Sequence, residues 1–152
     1  MTTEFTVLGM SRLDEHVLLA DAGLAMAMVA AGAQRLIDLR GETSPPRLDV
    51  PVDHFPIMDL EPGQDDLIAE AGRHVLSLAN AGTVVGLYCQ AGLSRTSTVA
   101  IAYLMLGGTP LGAARDRVRA VRPQAMPALE LWHSLESIAG RLSTTGRGAD
   151  VS

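Results

Sequence analysis

The stretch TVVGLYCQAGLSRTSTVAIAYLM, residues 83–105, decides the fold because it reads as a strand, a short loop and a helix in immediate succession. Residues 83–89 form a near-continuous apolar run, which is typical of a central strand covered on both faces. The loop contains Gly92, and the helix is predicted to begin near Arg95 and to end at about Leu106. The loop is therefore expected beyond the carboxyl end of a central strand, where open α/β sheets bind ligands.

The rest of the chain alternates strands with helices, which predicts an α/β domain with a mostly parallel sheet. A short extended segment is predicted at His54–Met58, either as an edge strand or as a strand end, because Pro56 cannot donate a hydrogen bond within a sheet. Asp14 and Glu15 suit the positive end of a helix dipole, so a helix is expected from about Asp14 to Ala31. The other predicted strands are Phe5–Gly9 and Arg35–Arg40, and the other predicted helices are Asp65–Ala81, Leu111–Val121 and Ala128–Leu142.

Composition predicts one globular domain in a reducing compartment. Hydrophobic residues make up 47% of the 152 residues and charged residues 19%, a balance that argues against disorder. The formal net charge is −5 and no basic stripe occurs, so we expect neither nucleic acid nor an anionic membrane as a partner. The single cysteine excludes an internal disulfide and the N-terminus lacks a secretory pattern, so a cytoplasmic location is expected. Nothing in the sequence indicates an oligomeric state.

No metal, cofactor or membrane span is predicted. The four histidines, at positions 16, 54, 74 and 133, lack the i, i+4 spacing of helical metal ligands. The longest uncharged stretch, residues 96–114, contains GGTPLG near its end, which predicts a helix and a turn rather than a membrane span.

The residue types of the loop suit a phosphate site. Five residues between Cys89 and Arg95 are enough for a tight loop whose backbone N–H groups converge, and Gly92 permits a positive φ. The N-terminus of the following helix favours both a bound dianion and a thiolate at Cys89. Arg95 can bind phosphate oxygens with its planar guanidinium, and the Thr96 hydroxyl could hydrogen-bond the Cys89 sulfur. These groups suffice for nucleophilic attack on phosphorus, which would form a cysteinyl-phosphate.

That reaction also needs an acid for the departing oxygen and later a base for water. Asp59, within FPIMDLEPG, follows an apolar strand end and precedes Pro62 and Gly63, so it is the leading candidate. Asp66 is the second candidate. It competes less well because Asp65 and Asp66 stand where N-caps of the next helix are expected.

These residues resemble the cysteine-based protein tyrosine phosphatases, most closely the small dual-specificity subgroup. The family signature is His-Cys, five residues with Gly third, Arg, then Ser or Thr, and this chain has Cys89, Gly92, Arg95 and Thr96. The similarity continues through STVAIAYLM and AARDRVRAVRP, and Asp59 lies 30 residues before Cys89, as the family's general acid does. The resemblance implies a catalytic domain over residues 1–142, with a sheet of four or five strands, followed by a polar flexible tail at 143–152.

The resemblance also implies the role of each residue in metal-free hydrolysis of phosphomonoesters. Cys89 is the expected nucleophile, Arg95 binds the transition state, and Asp59 is the general acid and base, with Thr96 assisting the sulfur. Expected substrates are phosphotyrosine, and also phosphoserine or phosphothreonine, in proteins, or another phosphomonoester. The residues expected to form the phosphate-binding loop are Gln90, Ala91, Gly92, Leu93, Ser94 and Arg95.

One position departs from the family pattern. Tyr88 stands where the family usually has the His that orders the loop and tunes the thiolate. A second hypothesis is therefore a phosphate-binding pseudoenzyme with weak or no turnover. A third is other chemistry at the cysteine, such as sulfur transfer; arsenate reduction commonly needs further thiols, which this chain lacks.

Two further interpretations concern residues outside the loop. Arg115, Arg117, Arg119 and Arg122 are predicted to form a solvated helix face. Trp132, at helical spacing with Leu129 and Leu135, is predicted to pack in the core.

Overall fold

A computed structural model of the chain describes residues 9–144. Within these residues five strands form one sheet in the order β1-β2-β5-β3-β4; β1 and β2 are antiparallel, and the other neighbours are parallel. The strands are β1 (Met10–Asp14), β2 (Val17–Asp21), β3 (Arg35–Arg40), β4 (Val52–Ile57) and β5 (Val85–Cys89). The helices are α1 (Ala25–Ala30), α2 (Asp65–Asn80), α3 (Ser94–Leu106), α4 (Leu111–Val121) and α5 (Leu129–Ser143), with a 3-10 helix at Ala22–Leu24.

The predicted α/β class is confirmed, with a mostly parallel sheet of five strands flanked by helices. β5 is the central strand and the loop after it leads directly into α3, as expected from the sequence. β3 and α4 have the predicted bounds. β4 begins two residues before the predicted His54–Met58 segment and ends one residue before its end, and of the two alternatives it is an edge strand. No helix among residues 9–144 is long and apolar enough to cross a bilayer.

The prediction for the N-terminal region was wrong. In place of a helix over Asp14–Ala31, β1 and β2 form a hairpin, and the 3-10 helix and the short α1 follow. In the turn, Asp14 Oδ1 accepts a hydrogen bond from the His16 backbone N–H at 2.9 Å. β2 lies beside β5 and is buried over residues 17–20, so tertiary burial overrides the helix propensity of its Leu and Ala residues. Of the strand predicted at Phe5–Gly9, residues 5–8 lie outside the described residues.

Two hydrophobic clusters lie on opposite faces of the sheet, and β5 contributes alternate residues to each. Leu87 and Cys89 belong to the larger cluster, which helices α2 to α5 cover, whereas Tyr88 belongs to the smaller cluster beside α1. Gly86 also faces α1, where a Cβ would lie only 2.8 Å from the sulfur of Met28. The alternation of β5 therefore directs Cys89 and Tyr88 to opposite faces of the sheet.

Candidate active site

The loop at residues 89–95 connects the carboxyl end of β5 to the first turn of α3. Gly92 has a φ of +71°, which favours glycine, and a Cβ there would lie 2.5 Å from the backbone oxygen of Ala20. The loop therefore requires glycine at this position both for its backbone conformation and for its packing against β2.

Cys89 is 2% exposed and lies at the N-terminal end of α3. The Thr96 hydroxyl donates a hydrogen bond to its Sγ at 3.0 Å. The helix N-terminus and this hydroxyl both place partial positive charge beside the sulfur. The structure thus brings Cys89 and Thr96 together as the sequence predicted.

Arg95 is held by groups from two other parts of the chain. Its Nη1 and Nη2 donate to the two carboxylate oxygens of Glu42 at 2.6 and 3.1 Å, and Nη1 also donates to the backbone oxygen of Ile57 at 3.0 Å. Its Nε is buried and finds no hydrogen-bond partner among the described residues. Leaving a buried donor unpaired costs about 1–3 kcal/mol, so this N–H is available to an oxygen of a bound anion.

Glu42 is a site residue that the sequence reasoning missed. The hydrogen bonds from Arg95 lower the pKa of Glu42 from its ordinary value of 4.5 to about 2. Glu42 follows the carboxyl end of β3, which is parallel to β5 and adjacent to it. That parallel pairing, which brings the ends of both strands to one edge of the sheet, is the signal that could have identified Glu42.

Asp59 lies beside the 89–95 loop and contacts it through one hydrogen bond. The hydroxyl of Ser94 donates to Asp59 Oδ1 at 2.8 Å and accepts the backbone N–H of Ala128 at 2.9 Å. The segment around Asp59 is held by Gln64, whose Oε1 accepts the backbone N–H of Met58 at 2.9 Å and whose Nε2 donates to the backbone oxygens of Met58 and Glu61 at 2.7 and 2.9 Å. Leu60 has a φ of +66°, which is strained for a residue other than glycine. These contacts position the Asp59 carboxylate.

The competing aspartates lie elsewhere. Asp65 and Asp66 begin α2 and form ion pairs with Arg141 of α5 at 3.3 and 2.9 Å. The side chain of Asp66 is 94% exposed. The geometry therefore favours Asp59 over Asp66 as the carboxylate that serves the loop.

Tyr88 is connected to the loop by a polar network that begins at a buried hydrogen bond and ends at an exposed one. Its hydroxyl donates to Asp38 at 2.9 Å, and burial, followed by the Asp38 hydrogen bond, raises the Tyr88 pKa. The Arg40 guanidinium donates to both Asp38 oxygens at 3.0 and 2.8 Å and lies over the Tyr88 ring. Its Nη1 also donates to the Gln90 side chain at 3.2 Å. Tyr88 is thus a neutral donor linked to Gln90 through Asp38 and Arg40, two residues that the sequence did not single out.

Arg122 corrects the prediction of a solvated arginine face. It is 2% exposed, and its Nε donates to the backbone oxygen of Gly92 at 2.7 Å while Nη1 donates to Ser11 at 3.1 Å. Arg122 caps the C-terminus of α4 in a non-helical conformation, so its side chain leaves the helix face and reaches the loop. Burial lowers its pKa. Arg117 and Arg119 are exposed as predicted, and Trp132 packs, half-buried, against the larger hydrophobic cluster.

Taken together, the loop brings the Cys89 thiol, the Arg95 guanidinium and backbone N–H groups close to the Asp59 carboxylate, a set of groups that suits transfer of an anionic group. Among residues 9–144 no group of three His, Cys, Asp or Glu side chains is arranged to hold a metal ion.

Comparison with known proteins identifies the family of this domain. Residues 21–139 match the family described as dual specificity phosphatase, catalytic domain. No curated protein sequence matches the chain.

Solved structures with the same fold include a mouse putative dual specificity phosphatase complexed with zinc tungstate, 24% identical over 94% of each chain with a TM-score of 0.80. Human DUSP28 is 25% identical over 90% of this chain and 96% of its own, with a TM-score of 0.78. Tk-PTP in its active form is 27% identical over 88% and 98%, with a TM-score of 0.75.

Proposed function

Because the chain belongs to the dual specificity phosphatase catalytic-domain family, we propose that it hydrolyses phosphomonoesters through a covalent phosphate on Cys89. One observation carries the proposal. The Cys89 sulfur, the N-terminus of α3 and the unpaired Nε of buried Arg95 belong to one seven-residue loop and the helix that follows it. A tetrahedral dianion bound there would satisfy the Nε donor and contact the nucleophile.

In the first step the phosphate binds to the backbone N–H groups of residues 90–95 and to Arg95. The Cys89 thiolate attacks phosphorus, so that an S–P bond forms while the bond from phosphorus to the ester oxygen breaks. Asp59, in its protonated form, donates its proton to that departing oxygen. Its hydrogen bond to Ser94 keeps the carboxyl group beside the loop during this transfer.

In the second step a water molecule attacks the phosphocysteine. The Asp59 carboxylate accepts the proton of the water, an O–P bond forms and the S–P bond breaks. The thiolate that leaves is stabilised by the Thr96 hydroxyl, which lies 3.0 Å from the sulfur. Inorganic phosphate and the original thiolate are the products.

The substrate that the loop favours is a phosphorylated protein. Gln90, Ala91, Leu93 and Ser94 carry no charge, so they offer no added attraction for a polyanionic inositol phosphate. Phosphotyrosine, phosphoserine and phosphothreonine each place a single dianion in the loop. Because the mechanism needs a reduced thiol, it suits a cytoplasmic setting.

A second candidate function is a phosphate-binding pseudoenzyme, and Tyr88 is the observation that favours it. The Tyr88 hydroxyl is bonded to Asp38 on the face of the sheet opposite Cys89. Such a protein would keep the anion site but would hydrolyse a phosphomonoester slowly or not at all.

The deciding experiment measures hydrolysis of 4-nitrophenyl phosphate in the presence of EDTA, together with trapping of phosphocysteine by rapid acid quench. We expect the wild type to hydrolyse the ester in EDTA, and vanadate to inhibit that hydrolysis in a separate assay without EDTA, which would chelate the vanadate. Cys89→Ser should show no hydrolysis but should still bind a phosphopeptide. Binding by the wild type without turnover would establish the pseudoenzyme, and full activity in Cys89→Ser would exclude the covalent mechanism.

A further inference from the structure

Exposed apolar side chains are concentrated beside the 89–95 loop. Of the large apolar side chains exposed among residues 9–144, Met58 (37%) and Leu60 (66%) flank Asp59, while Met126 (61%) and Leu129 (65%) lie close to Ala128. Asp59 and Ala128 are both hydrogen-bonded to the Ser94 hydroxyl. Since successive Cα atoms are 3.8 Å apart, these four side chains emerge within roughly 10 Å of Ser94.

A groove lies next to Ala128, beside these exposed apolar side chains. It has a volume of about 300 Å³, and Met126, Leu129 and Trp132 supply much of its apolar lining. Arg115 and Arg119 line it as well, and the Arg115 guanidinium lies 5.8 Å from the centre of the Trp132 ring. Arg115 pairs at 3.3 Å with exposed Asp116, whereas Arg119 is exposed and pairs with no acidic residue in the described part of the chain. The groove therefore combines an apolar lining with an available positive charge.

We propose that this groove is a substrate subsite, which binds an apolar side chain of a phosphopeptide and, at Arg119, an acidic residue beside it. This proposal rests on the proposed function, because it places the phosphorylated residue in the 89–95 loop. An extended peptide advances about 3.3–3.6 Å per residue, so the apolar side chain belongs two or three positions from the phosphorylated residue.

The groove fits a peptide better than a phospholipid. A volume of about 300 Å³ is at the lower end of the range for ligand pockets and suits one or two side chains. Recognition of anionic lipid relies on clusters of four to eight basic residues, whereas this groove has two and the chain carries a net charge of −5. The charge of Arg119 is therefore complementary to a single acidic residue, which favours a peptide as the occupant of the groove.

The test uses phosphotyrosyl peptides in which Leu or Ser occupies each flanking position in turn, with Glu or Gln next to it. Kd is measured with Cys89→Ser, and kcat/KM with the active enzyme is expressed relative to 4-nitrophenyl phosphate. We expect one position to prefer Leu over Ser by about 10-fold. An adjacent Glu should improve binding by about threefold at low salt, because an exposed ion pair contributes modestly.

Variants of groove residues test whether the groove causes these preferences. Leu129→Ser should abolish the preference for Leu, and Arg119→Gln should abolish the preference for Glu. The matched controls are Met26→Ser, which replaces an exposed side chain of α1, and Arg117→Gln, which replaces an exposed arginine of α4 outside the groove. Both controls should keep both preferences.

The outcomes separate this subsite from the proposed function. If the Kd of the peptides does not depend on the flanking residues, or if Leu129→Ser retains the preference for Leu, the proposed subsite is refuted. Tighter binding to vesicles containing phosphoinositide than to every peptide overturns the choice of a peptide. If the wild type hydrolyses no ester but Cys89→Ser shows both preferences, the subsite stands and the hydrolytic function fails.

Discussion

Arg95 and Glu42 form a bidentate ion pair in the candidate active site, although 53 positions separate them in the chain. The Arg95 side chain is 7% exposed and that of Glu42 is 43% exposed, so solvent reaches the pair from the carboxylate side. The pair fixes the orientation of the guanidinium before any phosphate arrives. A bound phosphate would then meet an arginine that has little conformational freedom left to lose.

Replacing Glu42 by Gln should lower kcat for an aryl phosphate by about 3–10-fold, because Arg95 loses its charged partner and its fixed orientation. Steady-state kinetics of the purified variant measure the effect. The control is Glu70→Gln, which changes an exposed side chain of α2 and should have wild-type kinetics. A variant faster than the wild type would show that Glu42 competes with phosphate.

The same pair predicts how stability depends on pH. The pKa of Glu42 is lowered in the folded protein to about 2, so its contribution is complete above its ordinary value of 4.5 and is lost as pH falls from there towards 2. Urea unfolding at pH 5 and pH 3 should show a larger loss of stability for the wild type than for Glu42→Gln. Equal losses in both proteins would mean that the ion pair does not stabilise the fold.

Asp59→Asn should lower kcat by about 10²–10⁴-fold, since no proton donor remains for the leaving oxygen. KM should change little. Asp66→Asn is the matched control, because this aspartate is 94% exposed and paired with Arg141. A greater loss of kcat in Asp66→Asn than in Asp59→Asn would assign the acid to α2.

Tyr88→Phe should lower the free energy of unfolding by about 1–3 kcal/mol, because the buried Asp38 carboxylate loses a hydrogen-bond donor. It should also lower kcat, because Asp38 and Arg40 link this residue to Gln90 of the loop. Tyr103→Phe is a close control, since its hydroxyl donates to Asp14 at 2.7 Å away from the loop. Denaturation and kinetics together test the link, and a kcat unaffected by Tyr88→Phe would refute it.

Arg122→Met should lower both stability and kcat. The Gly92 carbonyl loses a charged donor at 2.7 Å, a bond of a kind that contributes about 1.5–3 kcal/mol. Arg117→Met, on the exposed face of the same helix, should change neither quantity by much. Urea denaturation and kinetics give the comparison. Equal effects in the two variants would show that the contact with Gly92 does not order the loop.

Local patterns predicted most elements, and the one large error shows their limit. β3, α4 and the β5–α3 unit have apolar periodicity bounded by Gly, Pro or polar residues, and such signals lie within each segment. β2 has helix-forming residues but lies against the central strand, so its conformation depends on residues 85–89, far along the chain. Similarly, the spacing of Arg122 predicts a place on the α4 helix face, whereas its non-helical conformation at the end of α4 directs the side chain to Gly92.

The sequence by itself determined the make-up and local geometry of the loop, because Cys89, Gly92, Arg95 and Thr96 lie within eight consecutive residues and their geometry follows from a strand, a turn and a helix. Only the tertiary structure decided which distant side chains contact that loop. The hydrogen bond between Ser94 and Asp59 and the pairing of Arg95 with Glu42 join residues 35 and 53 positions apart. Such contacts exist because parallel strands bring their carboxyl ends to one edge of the sheet, and no local pattern encodes which side chains meet there.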